Sequence, residues 1–244
     1  QKSTYLLKIN YVRKKMGKIV ITGANRGIGL GLTKVFLSEN HNVIATTRNP
    51  ENSTDLLNLK KNYNETLDII DLDVTNEYSI TKFAKNIPFD FIDILVNNAG
   101  FMEKTNSSFT SLDISEVGKT IEINTLGPMK ITQVLINKLL HNSNSKSIFI
   151  TSKMGSIADN HGGSYYSYRM SKTALNMFCR SLSIDYPTIT SIVIHPGWVK
   201  TDMGGPNAMI SIQESCVGLT RVILEATKSS SGKFIDFKGN DLPW

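Results

Sequence analysis

No apolar run in the 244-residue chain approaches the ~18 residues that cross a bilayer, so no membrane-spanning helix is expected. Cysteine is scarce. Cys179 and Cys216 stand at no metal or redox spacing. Each reads as a core thiol in a reducing, cytoplasmic setting, with a redox role as the competing reading. Acidic residues are missing from residues 1–15, which carry Lys2, Lys8, Arg13, Lys14 and Lys15. The formal net charge is +6, yet outside those residues 22 basic side chains face 21 acidic ones. A folded part so close to neutral argues against nucleic acid as a partner. Residues 1–15 also lack the apolar stretch and small-residue cleavage site of a secretory signal. They read as a basic N-terminal extension, disordered or artificially added, against the alternatives of a targeting arm or nucleic-acid tail. Residues 16–244 read as one domain. The Asn-x-Ser/Thr triplets at Asn52, Asn64 and Asn106 are taken as chance matches in an Asn-rich chain.

What is present is ordinary globular composition, 40% hydrophobic and 20% charged. Seven short apolar, β-branched runs occur at residues 18–22, 42–47, 67–72, 91–96, 147–151, 190–194 and 233–237. Helical periodicity alternates with them. This rhythm predicts an α/β fold: a single doubly wound parallel sheet of about seven strands with helices on both faces. Within the long helical pattern at residues 114–140, Asn124 and Gly127-Pro128 predict a kink or a break, because proline removes a backbone donor.

The first strand runs into Gly23-Ala-Asn25-Arg26-Gly27-Ile28-Gly29 and then a helical pattern. Strand, glycine turn and helix are the context in which a backbone can approach a dinucleotide pyrophosphate at a helix N-terminus. A turn that uses glycine for its dihedral angles alone is the competing reading. A site for unphosphorylated ribose usually places an acid after the second strand. None occurs between Asn40 and Pro50; Arg48 stands there instead. Arg48 and Arg26 suit a clamp on a 2′-phosphate, or else are two solvated arginines. Asp73, with Val74 after the third strand, suits either an adenine amino group or a turn. Asn97-Asn98-Ala99-Gly100 closes the fourth strand either as a close-approach segment for a ligand or as an Asn-rich turn.

Tyr168 and Lys172 lie four residues apart, on one face of a predicted helix. A neighbouring lysine is expected to lower the phenol pKa from roughly 10 and to equip Tyr168 for proton transfer. Tyr11–Lys15 and Tyr78–Lys82 share the spacing. Topology selects Tyr168–Lys172: ligands of such sheets bind at the carboxyl ends of the strands, where Ser152, the glycine turn and the start of this helix all fall.

Taken together, Thr22-Gly-x-x-x-Gly27-x-Gly29, Asp73-Val74, Asn97-Asn-Ala-Gly100, Asn124, Ser152, Tyr168-x-x-x-Lys172 and Pro196-Gly197-x-x-x-Thr201 resemble the short-chain dehydrogenase/reductase family. The stretches NRGIGLGL, GGSYYSYRMSKTALN and HPGWVKTDMGG are similar to the subgroup of sniffer-type carbonyl reductases and C-factor-like proteins. The resemblance implies a Rossmann-type fold and NADPH-dependent reduction of a small aldehyde or ketone, with a C-factor-like signalling role of little turnover as the alternative. It implies Tyr168 as general acid, Lys172 on the nicotinamide ribose, Ser152 on the substrate oxygen and Asn124 holding a relay water. It further implies that Val199 meets the carboxamide, with Pro196, Gly197 and Thr201 alongside, and that a homodimer forms through the helices at 114–140 and 164–186. Two departures fall on the substrate side. The interval from Ser152 to Tyr168 is longer than most of the family shows, and Lys153 replaces a small or apolar residue.

Overall fold

The computed structural model describes residues 16–103 and 108–244. The extension at 1–15 and the Asn106 triplet lie outside the described residues. Seven strands, β1 (Lys18–Ile21), β2 (Asn42–Thr47), β3 (Leu67–Asp71), β4 (Ile94–Asn97), β5 (Lys146–Ile150), β6 (Thr190–His195) and β7 (Phe234–Asp236), form one sheet in the order β3-β2-β1-β4-β5-β6-β7. All six pairings are parallel. Parallel strands need covering on both faces, and alternate residues supply the two cores. Ile19 and Ile21 pack with α1 (Gly27–Ser38), α2 (Thr54–Asn62) and α7 (Ile212–Glu225). Val20 and Leu95 face α3 (Glu77–Asn86) and α5 (Gly127–Leu140), while Phe149 and Val193 meet α6 (Tyr166–Asp185). The predicted architecture is the observed one. The order reverses between β1 and β4, which opens the ligand crevice characteristic of such sheets.

Two local expectations are refined. The fourth strand starts at Ile94 rather than residue 91. The Ile92 amide goes to the Lys138 carbonyl (3.0 Å), and the Asp93 carboxylate takes the Lys18 amide (2.7 Å), so residues 91–93 serve as a splice to α5 and β1. The interruption expected within the helical stretch at 114–140 takes the form of a π turn rather than a chain break. α4 (Ile114–Ile121) passes through a π turn, Glu122–Leu126, directly into α5. The Gly127 amide reaches back five residues to the Glu122 carbonyl, and Pro128 then sits in the first turn of α5, where no donor is needed. Among the described residues no helix is long and apolar enough to cross a membrane.

Candidate active site

The turn between β1 and α1 is built for close approach. Gly23 has φ +65°, and a Cβ there would lie 2.9 Å from the Ala99 backbone; one on Gly29 would lie 2.3 Å from the Gly23 carbonyl. The turn is sewn to β4. The Asn98 side-chain amide donates to the carbonyls of Thr22 (2.9 Å) and Gly23 (3.0 Å), and the Asn98 and Ala99 amides donate to Thr22 Oγ1, both at 3.0 Å. α1 begins without a side-chain cap: Arg26, its N-cap, is extended and makes no capping bond, and no acid occupies the first turn. The positive end of α1 is therefore open beside half-buried Asn25, and Ile28 anchors the first turn in the core. This cradle fits a pyrophosphate.

The two arginines part company. Arg48 is exposed immediately after β2, close enough to act on the charge of Asp73. Arg26 instead pairs with Asp202, from the loop after β6, with both side chains exposed. Both partners are open to solvent, so Asp202 competes with a 2′-phosphate for Arg26. Asp73 takes its turn role. Its Oδ1 accepts from the Thr75 amide (2.9 Å) and hydroxyl (2.7 Å). Burial pushes the Asp73 carboxyl up, but the Thr75 bonds and the Arg48 charge outweigh it and hold the carboxyl below its usual range. Val74 is buried against Gly127. Asn97 ends β4 with its side chain buried, Nδ2 donating to Thr132 Oγ1 (3.3 Å) and Oδ1 without a partner among the described residues. The amide that holds the glycine turn is that of Asn98, because alternation along the strand turns its predecessor toward α5.

The second half of the crevice joins the end of β5 to α6. Ser152 lies two residues past β5, and Tyr168 and Lys172 occupy the first two turns of α6. Lys172 Nζ donates to the Ile150 carbonyl (2.9 Å) and stands 5.7 Å from the centre of the Tyr168 ring. Ser152 Oγ accepts from the Met154 amide (3.1 Å), and its hydroxyl is close enough to the Tyr168 phenol to favour the ionised form. Thr151 donates to Asn176 (2.7 Å), while Thr173 and the Asn176 amide both bond the Gly155 carbonyl. These ties set the distance from strand end to helix. Tyr78, at the start of α3 after the outermost strand β3, is 78% exposed, and Tyr11 lies outside the described residues.

The expected depression of the Tyr168 pKa is not met. Burial pushes the phenol up to about 12 against the lowering effect of Ser152, and burial brings Lys172 down to about 8. Both groups are almost wholly enclosed, so each pays for its charged form more than the other returns. At neutral pH Tyr168 carries its proton and Lys172 is mostly charged. Asn124 is buried in the π turn between α4 and α5. Its side chain accepts from the Phe101 amide (2.7 Å) and donates to the Phe101 carbonyl (2.7 Å) and Ser171 Oγ (3.0 Å). The amide is thus committed to structure. Its main-chain carbonyl cannot take the α-helical bond from four residues on, because Pro128 has no N–H. A Cβ on Gly100 would lie 3.5 Å from Asn124 Oδ1 and 3.7 Å from Lys172 Nζ, which places this segment beside the lysine.

The loop after β6 closes the crevice. The Pro196 carbonyl accepts from Ser215 of α7 (2.7 Å), and Gly197 turns with φ +86°. Val199 is buried and flanked by two bonds with Ile210: the Lys200 amide donates to the Ile210 carbonyl, and the Ile210 amide donates to the Trp198 carbonyl. The Thr201 methyl would lie 3.5 Å from a Cβ on Gly27, so this loop meets the glycine turn. Met203 Sδ sits 4.0 Å from the Tyr168 hydroxyl, an apolar wall that no spacing in the sequence announces. His195, at the end of β6, has Nδ1 buried without a partner among the described residues, and burial brings its pKa down to about 4. Among the described residues no three His, Cys, Asp or Glu side chains are grouped to hold a metal.

The short chain dehydrogenase family profile matches residues 17–209. C-signal of Myxococcus xanthus is 39% identical over 164 residues, covering 66% of this chain and 98% of its own length. The carbonyl reductase Sniffer of D. melanogaster superposes with a TM-score of 0.90 at 33% identity, over 94% of this chain and 100% of that one. The NADPH-bound carbonyl reductase from chicken fatty liver gives a TM-score of 0.85 at 29% identity, over 94% and 99% of the two chains. A parallel sheet in this order, with a glycine cradle beside a Ser–Tyr–Lys cluster and these relatives, leaves one assignment: the chain belongs to the short chain dehydrogenase family.

Proposed function

We propose that the protein reduces a small aldehyde or ketone with NADPH and that Tyr168 is the proton donor. The observation that carries this reading is the buried Tyr168 phenol on α6, one helical turn from Lys172 and at the same edge as Ser152 and the open α1 N-terminus. The residues at 23–29 would hold the pyrophosphate, and Arg48 the 2′-phosphate. Asp73 Oδ2, Val74 and residues 97–100 would line the adenosine side. Lys172 would hold the ribose hydroxyls, and Pro196, Gly197, Val199 and Thr201 the nicotinamide side. The reduced nicotinamide supplies a hydride. Ser152 donates a hydrogen bond to the substrate oxygen and stabilises its developing charge. Tyr168 passes its proton to that oxygen. Lys172 then returns a proton to the phenolate, and a water on the Asn124 carbonyl connects Lys172 to solvent. The relatives that support this reading include a carbonyl reductase bound to NADPH.

NADPH consumption against a panel of aldehydes, ketones and quinones tests the proposal. Turnover on at least one class is expected. The similarity to C-signal favours a second reading, a cofactor-binding signalling protein. Tight NADPH binding without turnover on any carbonyl would select it. We further propose a homodimer through the helices at 114–140 and 164–186, whose outer faces leave Met129, Val134, Met170 and Met177 exposed. The free, buried Cys179 and Cys216 accord with a cytoplasmic location.

A further inference from the structure

α6 starts from an unusual backbone. Gly163, Ser164 and Tyr165 are consecutive left-handed residues, with φ of +60°, +58° and +48°. Such a conformation is strained for serine and more so for tyrosine. Tyr165, the N-cap residue, makes no side-chain cap, and the first turn of α6 holds no acid. Tyr168 is only the third residue of this helix, so its position depends on what secures the first turn. On one side Arg169 reaches back, Nε donating to the carbonyls of Gly163 (2.9 Å) and Ser164 (3.1 Å).

The other side is held from a distant segment. Ser167, wholly buried, donates its hydroxyl to Glu103 Oε1, and the Glu103 carboxylate is itself 8% exposed. Two residues earlier, the Phe101 backbone is bonded in both directions to the Asn124 side chain, which also donates to Ser171. Ser171 Oγ in turn donates to the Tyr168 carbonyl (2.8 Å). Ser167 and Ser171 are one helical turn apart and immediately precede Tyr168 and Lys172. The segment at 101–103 therefore crosses two successive turns of α6, with one polar rung beside each functional side chain. Farther along the same loop, Phe109 stacks on Tyr166, ring centres 5.5 Å apart.

We infer that Glu103 is a positioning residue for Tyr168: its carboxylate, through the Ser167 hydroxyl, ties the first turn of α6, which has no side-chain cap, to the segment at 101–103. The inference rests on Tyr168 as proton donor. Substitutions at Glu103 should alter the reactive geometry at Tyr168 and leave cofactor binding, assigned to other segments, unchanged. The experiment compares Glu103→Ala, Ser167→Ala, the double variant and Glu103→Gln with Tyr168→Phe, using single-turnover reduction at saturating NADPH, NADPH binding and thermal melting. Glu103→Ala and Ser167→Ala should each slow reduction by about tenfold, as a small misplacement of a reacting group does. NADPH affinity should be unaltered. The double variant should be no slower than Glu103→Ala, and Glu103→Gln should recover most of the rate, because its amide oxygen accepts the same bond. Ser167→Ala removes one oxygen and keeps the test available should Glu103→Ala fold poorly. Wild-type rates in Ser167→Ala and Glu103→Ala beside an inactive Tyr168→Phe would overturn the inference and leave the proposed function standing. A loss shared equally by rate and NADPH affinity would overturn it too, as general loosening. An active Tyr168→Phe enzyme would remove the donor assignment and this inference with it.

Discussion

Replacing Tyr168 by Phe keeps the ring and its packing and removes only the hydroxyl. With the phenol at about 12, ionising it at pH 7 costs five pKa units, or about 7 kcal/mol. The folded chain by itself therefore holds Tyr168 in the donor form needed for reduction, and the same burial opposes its action as a base in the reverse direction. Removing the donor should lower the single-turnover rate by about 10²–10⁴, the usual worth of positioned acid–base help. NADPH affinity should barely change, since ribose contacts are assigned to Lys172. The companion measurement is the pH profile. Lys172 at about 8 is the group that restores the phenol proton, so steady-state reduction should be flat through neutrality and decline as pH rises through about 8. Lys172→Ala should lose cofactor affinity as well as rate. Tyr78→Phe, which alters an exposed tyrosine with the same spacing to a lysine, should be silent. Wild-type single-turnover rates in Tyr168→Phe would refute the assignment outright. A reduction rate level from pH 7 to beyond the lysine's titration would refute the proton-return role while leaving the donor in place.

Arg48→Ala should weaken NADPH binding by about 1.5–3 kcal/mol, the worth of charge-assisted bonds to a phosphate, with NADH binding nearly unchanged. Titrating both cofactors decides it, and equal losses would sink the 2′-phosphate assignment. Multi-angle light scattering at micromolar protein should give a dimer; a monomer would remove the helix-face interface. Acid should destabilise the fold through His195, whose folded pKa of about 4 lies below the unfolded value of roughly 6.5. Below pH 6.5 the unfolded chain takes up a proton that the folded chain refuses. Stability should therefore fall between pH 6.5 and 4, by about 3 kcal/mol in denaturant titrations. His195→Asn should flatten that slope; an unchanged slope would show that other groups set it.

The sequence by itself determined the sheet, the glycine turn and the choice among three Tyr–Lys spacings. These are carried by local patterns: β-branched runs for strands, glycines where backbone must turn and approach, and a four-residue interval that one helix turns into one face. The direction of the Tyr168 pKa was not legible. Proximity of Lys172 argued for a lower value, while burial, which exists only once β5, α6 and the loop after β6 are assembled, pushes it higher. Asn97 and Asn98 are equivalent in a list of residues; the pleat of β4 sends one amide to Thr132 and the other to the glycine turn. Arg26 meets an acid 176 residues away, and Ser167 one 64 residues away. No periodicity encodes such pairs. They arise because the doubly wound topology gathers the loops that follow distant strands at one edge of the sheet, and side chains find partners there that chain order does not foretell.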